Sequence, residues 1–235
     1  MSENNSELNE LIQMWEPEVI ENLKILLYGD SGVGKTRFCA TMPKPLFLDA
    51  DHGLRSIKIP CPFITINNWA DLQQAYMLLS REEHSFETVV IDSLSRVQKM
   101  CMDNVVESYP SRRVYDNLPS QQDWNKALDD LFHMISFFVS LPMNVVFTAH
   151  TKPRRFEDER AEPLLSGKNT ISALTQSMDI VAYMFVQEVE EGEKPVRKMG
   201  FDLAGWWTKD RTDQLPPVLE NPIWGDLTKF WNTGK

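Results

Sequence analysis

The sequence predicts an α/β fold: a mostly parallel central sheet flanked by helices, with an antiparallel hairpin at the sheet edge. Three observations lead there. Short apolar runs recur between longer amphipathic stretches, a glycine-rich turn follows the first run directly, and several runs are apolar throughout rather than alternating. A strand covered on both faces has no polar side to show, so continuous apolar runs separated by helical patterns imply parallel strands with crossover helices. Composition agrees. The 235 residues are 42% hydrophobic and 25% charged, with three cysteines. These proportions are ordinary for a globular chain and exclude collagen-like, wholly disordered and disulfide-framework classes. No window holds 18 uninterrupted apolar residues, and no basic residue precedes the first apolar run, so neither a spanning helix nor a secretory leader is expected. Cys39, Cys61 and Cys101 lack metal-ligand spacing and read as incidental thiols in a reducing cytoplasm.

The elements follow in order. Residues 1–21 read as an acidic tail or short helix with one apolar cluster at Leu11, Ile12, Met14 and Trp15. The formal net charge is −10, but the first 23 residues contribute six glutamates and no Lys or Arg, leaving 24 basic against 28 acidic residues in the remainder. Such a chain does not coat nucleic acid by bulk charge, although a local basic groove is compatible with it. A main domain is expected over 22–217. Within it, 24–28 (KILLY) reads as a buried strand, followed by the glycine-rich turn and a helix from about residue 35. Residues 46–50, 63–66 and 88–91 read as further strands, with helices over 69–81 and about 95–107. A loop over 109–120 leads to a helix near 121–140 and a strand at 144–149. Residues 179–190 and 196–207 are strand-like and joined by a turn, giving the edge hairpin. After Arg211 the chain is rich in proline and aromatics, and 218–235 is expected as an irregular extension.

The chemistry-bearing signal is Gly29-Asp30-Ser31-Gly32-Val33-Gly34-Lys35-Thr36, a full G-x-x-x-x-G-K-[ST] match between a predicted strand and a predicted helix. Glycines let the backbone wrap so that successive N–H groups point at phosphate oxygens, and the helix N-terminus adds partial positive charge. Lys35 then serves the β- and γ-phosphates and the Thr36 hydroxyl a Mg²⁺ ion, so ATP and Mg²⁺ are the expected ligands. The metal also needs a carboxylate at the end of a neighbouring strand, where ligands of open α/β sheets gather, and Asp92 after Val89-Val90-Ile91 supplies one. Asp92 could also cap the following helix, and both roles can hold at once. Asp49 and Asp51 end another strand, and Asp51 is the candidate for orienting the attacking water, although either could close an Asx-turn before Gly53.

In this order, the phosphate loop, FLDADHG, VVIDSLS, NVVFTAH and WTKDRT resemble the ATPase core of RecA, RadA and the DnaB helicase motor. At this length the chain is most similar to the phage-encoded RecA-like single-strand annealing ATPases, the Sak-four group. The resemblance implies a RecA-like domain that hydrolyses ATP slowly, Asp51 standing in place of the family's catalytic glutamate. It places His150 as a γ-phosphate sensor. Lys209 and Arg211 match a K-x-R element that reaches the neighbouring subunit's nucleotide, which requires a homo-oligomeric ring or filament. It assigns Lys152, Arg154, Arg155 and Phe156 to single-stranded DNA, cations serving the backbone and the ring a base; 109–115 is a second basic, aromatic candidate. The implied setting is phage recombination or annealing in the host cytoplasm, with a single-strand binding protein as a further partner. Two other functions fit the phosphate loop: a small-molecule or nucleotide kinase with 152–160 as its lid, and a motor subunit that remodels a protein partner without binding DNA.

Overall fold

A computed structural model describes residues 21–109, 118–153, 160–167, 169–187 and 194–231. The chain runs β1 (Lys24–Gly29), α1 (Lys35–Cys39), β2 (Pro45–Asp49), a 3-10 turn (Leu54–Ser56), β3 (Phe63–Thr65), α2 (Trp69–Arg81), β4 (Thr88–Asp92), α3 (Leu94–Ser108), α4 (Gln121–Val139) and β5 (Asn144–Ala149). It continues through α5 (Thr170–Gln176), β6 (Ile180–Gln187), β7 (Val196–Gly200), β8 (Lys209–Asp210), β9 (Val218–Glu220) and α6 (Trp224–Trp231).

The sheet order is β3-β2-β4-β5-β1-β6-β7-β9, with β8 beside β6. Neighbours from β3 to β6 are parallel, and β7, β8 and β9 join antiparallel. Strand alternation divides the interior in two. Leu26, Tyr28, Leu48, Val89, Ile91 and Phe147 face a core shared with Trp69, Leu94, Val97, Leu131 and Phe138 of α2, α3 and α4. Ile25, Leu27, Phe47, Val90 and Val146 face the other core, closed by Phe38 of α1 and Leu227 of α6. Both faces of the central strands are therefore apolar, as the unbroken hydrophobic runs imply.

The helices start where short polar side chains offer acceptors. Asn68 and Asp71 form a capping box on α2, Ser120 and Asp123 another on α4, and Ser93 accepts from the Arg96 N–H at the head of α3. Two expectations need correction. Residues 218–235 are not an irregular extension throughout: β9 extends the sheet, and α6 buries Leu227 and tilts Trp224 against Trp231 at 5.6 Å between ring centroids. The second hairpin strand ends at Gly200 rather than near 207, and α5 stands where no helix was expected. Among the described residues no helix is long and apolar enough to cross a membrane.

Candidate functional site

The register sets the site. Gly29 ends β1, Asp49 lies opposite Asp92 at the ends of β2 and β4, and Tyr28 lies opposite Ala149 near the end of β5. Four carboxyl ends thus meet at one rim, and the chain leaving β1 crosses over β5 and β4 to reach β2. The phosphate loop springs from that rim. Gly29 is obligatory because a Cβ there would lie 2.2 Å from the Met184 carbonyl oxygen of β6. Gly34 takes φ 111°, a left-handed turn that aims the first N–H groups of α1 into the cleft.

Lys35 is 6% exposed. Its Nζ donates to the carbonyls of Gly29 and Asp30, each at 2.9 Å, so it lies folded over its own loop. Burial pushes its pKa down, and Asp92, Asp30 and Asp51 oppose that without reversing it. An anion in the loop would relieve this cost. Thr36 Oγ1 donates to Asp92 Oδ2 at 2.7 Å, bringing together two oxygens that are 56 residues apart in sequence. Asp92 Oδ1 accepts from Thr148 Oγ1 at 2.5 Å. The cap of α3 falls to Ser93, so Asp92 is left for Thr36.

Asp49 and Asp51 part company. Asp49 is buried and accepts from the Gly53 N–H at 3.1 Å, closing the turn after β2. Its pKa is pushed up by burial, with the Gly53 hydrogen bond opposing and the Asp92 charge adding. Asp51 stands over the end of β4, since the N–H groups of Ala50 and Asp51 both donate to the Asp92 carbonyl at 2.7 and 3.1 Å. Its Oδ2 meets His150 Nε2 at 3.2 Å. Burial works to raise the Asp51 pKa, but hydrogen bonds from His150 and Ser93 and the charges of His150 and Arg96 outweigh it and hold the carboxyl below its usual range. Ser31, Lys35, Thr36, Asp51, Asp92 and His150 line one cleft of about 460 Å³.

The donor set suits Mg²⁺, an oxygen-seeking ion normally held by one or two protein oxygens, phosphates and water. Thr36 and Asp92 present adjacent oxygens, and among the described residues no cluster of three or more His, Cys, Asp or Glu forms an all-protein cage.

Lys209 and Arg211 lie elsewhere. β8 pairs with Ile180 and Val181, whereas the phosphate loop adjoins Met184, three to four residues further along β6 and so about 10–13 Å away. Lys209 Nζ donates to the carbonyls of Thr175 and Met178 at 2.8 and 2.5 Å. Arg211 donates to Gln176 O at 2.8 Å and pairs with Asp179 at 2.9 Å. Both cations therefore cap the C-terminus of α5. Lys152 pairs with Glu162 two residues beyond His150, while Arg154, Arg155 and Phe156, and Pro110 to Tyr115 of the second candidate, lie outside the described residues. Sequence reasoning missed Thr148, whose signal is a single internal hydroxyl in the apolar run NVVFTA.

A family model described as an AAA domain matches residues 21–212. The SPbeta prophage-derived uncharacterized protein YorG of Bacillus subtilis (strain 168) is 25% identical over 221 residues, covering 88% of this chain and 67% of its own. Among solved structures, a KaiC-like protein of Pyrococcus horikoshii OT3 aligns at 14% identity and TM-score 0.42 over 77% of this chain and 78% of that one. The flagellar accessory protein FlaH of Methanocaldococcus jannaschii aligns at 8% identity and TM-score 0.44 over 86% and 85%.

Proposed function

We propose, given that the chain belongs to the AAA domain family, that it is a Mg²⁺-dependent ATPase of RecA type acting on single-stranded DNA in phage recombination or annealing. The observation that carries the nucleotide reading is the meeting of Thr36 and Asp92 at 2.7 Å beside the Gly34 turn. The loop amides receive the phosphates, and Lys35 exchanges the Gly29 and Asp30 carbonyls for β- and γ-phosphate oxygens. Thr36 and Asp92 would hold the magnesium, which would neutralise charge on the phosphates. Asp51, kept ionised by His150 and Ser93, accepts from a water in line with the γ-phosphate. His150, sharing that carboxylate, senses whether the phosphate is present.

The DNA assignment rests on position. Lys152 and the basic, aromatic run after it follow β5 directly, so a strand bound there lies next to the γ-phosphate sensor. The prophage origin of the YorG relative supports the phage setting. Lys209 and Arg211, at the opposite end of β6 from their own phosphate loop, suit action on a neighbouring subunit's nucleotide in a homo-oligomer.

Turnover measured with and without single-stranded DNA, beside sizing with and without ATP, tests the reading. Stimulation of several-fold with nucleotide-dependent assembly is expected; a monomer whose turnover ignores DNA would refute the DNA assignment. Lys35→Ala should abolish turnover, and unchanged activity in that variant would refute the site itself.

A further inference from the structure

α3 opens unlike the other two long helices. At the third position of the first turn α2 carries Asp71 and α4 carries Asp123, and each completes a capping box with the residue that starts its helix. On α3, which follows Asp92 directly, Ser93 is the cap and the same position holds Arg96, with no acidic residue in the first turn. A cation beside the unpaired N–H groups of a helix start opposes the helix dipole, whereas a carboxylate there complements it. Helix stability therefore does not account for Arg96.

Its position offers another account. The Arg96 backbone is fixed, its N–H meeting the Ser93 carbonyl at 3.1 Å and Ser93 Oγ at 3.4 Å. Its side chain is exposed, and among the described residues the guanidinium makes no hydrogen bond and no ion pair. The same turn is tied to the cleft. Ser95 Oγ accepts from the His150 N–H at 3.2 Å, and the Asp51 N–H donates to the Asp92 carbonyl at 3.1 Å. These contacts bring Arg96 within electrostatic range of Asp51, whose carboxyl it helps to hold below the usual range, after His150 and Ser93. Asp51 and His150 both line the phosphate cleft. A loosely held guanidinium thus stands at the edge of the cleft beside Asp51, while Lys209 and Arg211 lie at the far end of β6.

From this we infer that Arg96 is a further catalytic residue, donating to the γ-phosphate oxygens of its own subunit's nucleotide as the phosphoryl group transfers. The inference rests on the proposed ATPase reading and adds to it a cation acting in cis. In that step the oxygen of a water bonds to the γ-phosphorus. The bond from that phosphorus to the β–γ bridging oxygen breaks, and its electron pair stays with ADP. Asp51 takes one proton of the water and later returns it to solvent. Charge shifts among the γ-oxygens and onto the bridging oxygen, and a planar guanidinium can donate to two such oxygens at once. A triphosphate outweighs the single charge of Asp51, so it draws the guanidinium over and leaves Asp51 to the water.

The test separates binding of the transferring group from binding of the ground state. Calorimetry on the full chain with Mg²⁺ compares ADP alone with ADP plus fluoroaluminate, a mimic of the phosphoryl group in transfer. Fluoroaluminate should tighten ADP at least tenfold in wild type; no gain there would overturn the inference. Arg96→Ala should bind ADP within twofold of wild type and lose the gain. A gain kept in full, or ADP alone weakened as much as the pair, would overturn the assignment. Turnover of Arg96→Ala should fall about a hundredfold in kcat with KM within about threefold, and unchanged kcat would overturn it as well. Millimolar guanidinium ion should recover part of that turnover, and Arg96→Lys, which keeps the charge without the fork, should retain more than Arg96→Ala. Because the alanine removes a cation from a helix start, the variant should melt no lower than wild type; marked destabilisation would make the loss structural. Mixing Arg96→Ala with Lys35→Ala should restore nothing, and restoration would place Arg96 on a neighbour's nucleotide and overturn action in cis. Lys35→Ala separates the two levels, since it should lose ADP with and without fluoroaluminate. Wild-type protein that binds no ADP would overturn the triphosphate site and the role of Arg96 with it.

Discussion

At Asp92 both carboxylate oxygens are committed, one to Thr36 and the other to Thr148. The second contact orients the first. Thr148→Val keeps the shape of the side chain but strips the donor, so the Mg²⁺ concentration for half-maximal turnover should rise about tenfold, the usual scale for losing an outer partner of a metal ligand. Thr148→Ser should restore it, and a magnesium titration of turnover reads both. Lys24 offers a residue-scale test that does not involve catalysis. Burial pulls its pKa down to about 8 from 10.5, with Asp179 opposing, while its Nζ donates to Leu141 O and Met143 O at 2.8 and 2.7 Å. A neutral amine still has two hydrogens for those carbonyls. Between about pH 8 and 10.5 the unfolded chain holds a proton that the folded one has lost, so stability rises with pH across that window. The shift caps the gain at about 3 kcal/mol, which partial solvent screening reduces to about 1 kcal/mol. Denaturant melts at pH 7.5 and 10 should show wild type gaining that much on Lys24→Met.

The elements differ in how openly they declare themselves. β4 was readable from TVVI because its five residues are buried on both faces, and α4 because a helical pattern runs on after the 109–120 loop; in the structure Ser120 and Asp123 cap its start. Ser120→Ala removes one acceptor from that start and should cost about 1 kcal/mol, measured by thermal or denaturant unfolding. α5 is the opposite case. Its seven residues are too few to hold a helix by themselves, and the carbonyls at its end are satisfied by Lys209 of β8 and by Arg211 just after that strand, far along the chain. α6 was hidden by the prolines before it, and becomes a helix by burying Leu227 against the α1 face of the sheet.

On the scale of the whole molecule, β8 sits at the end of β6 away from the phosphate loop. Arg211→Ala should leave ATP binding within about twofold and lower turnover at least tenfold, the order of effect of removing one charge-stabilising donor. Mixing it with Lys35→Ala, which keeps the arginine but loses its own nucleotide, should regain part of the activity if the two sites belong to different subunits. No regain at any mixing ratio would rule out action between subunits. Because Arg211 also pairs with Asp179, unfolding of the single variant should be measured alongside.

The strand–loop–helix around Gly34 and Lys35 could be read in advance because its geometry depends on residues adjacent in the chain: glycines for the left-handed turn, an apolar run before it, a helix after it. Asp92 was likewise placed by its position at the end of an apolar run. The partnerships were not legible. Thr148 reaching Asp92 and His150 reaching Asp51 across 99 residues both depend on which strands become neighbours. That order is set by packing two apolar faces at once, a condition on the whole chain that no local spacing encodes.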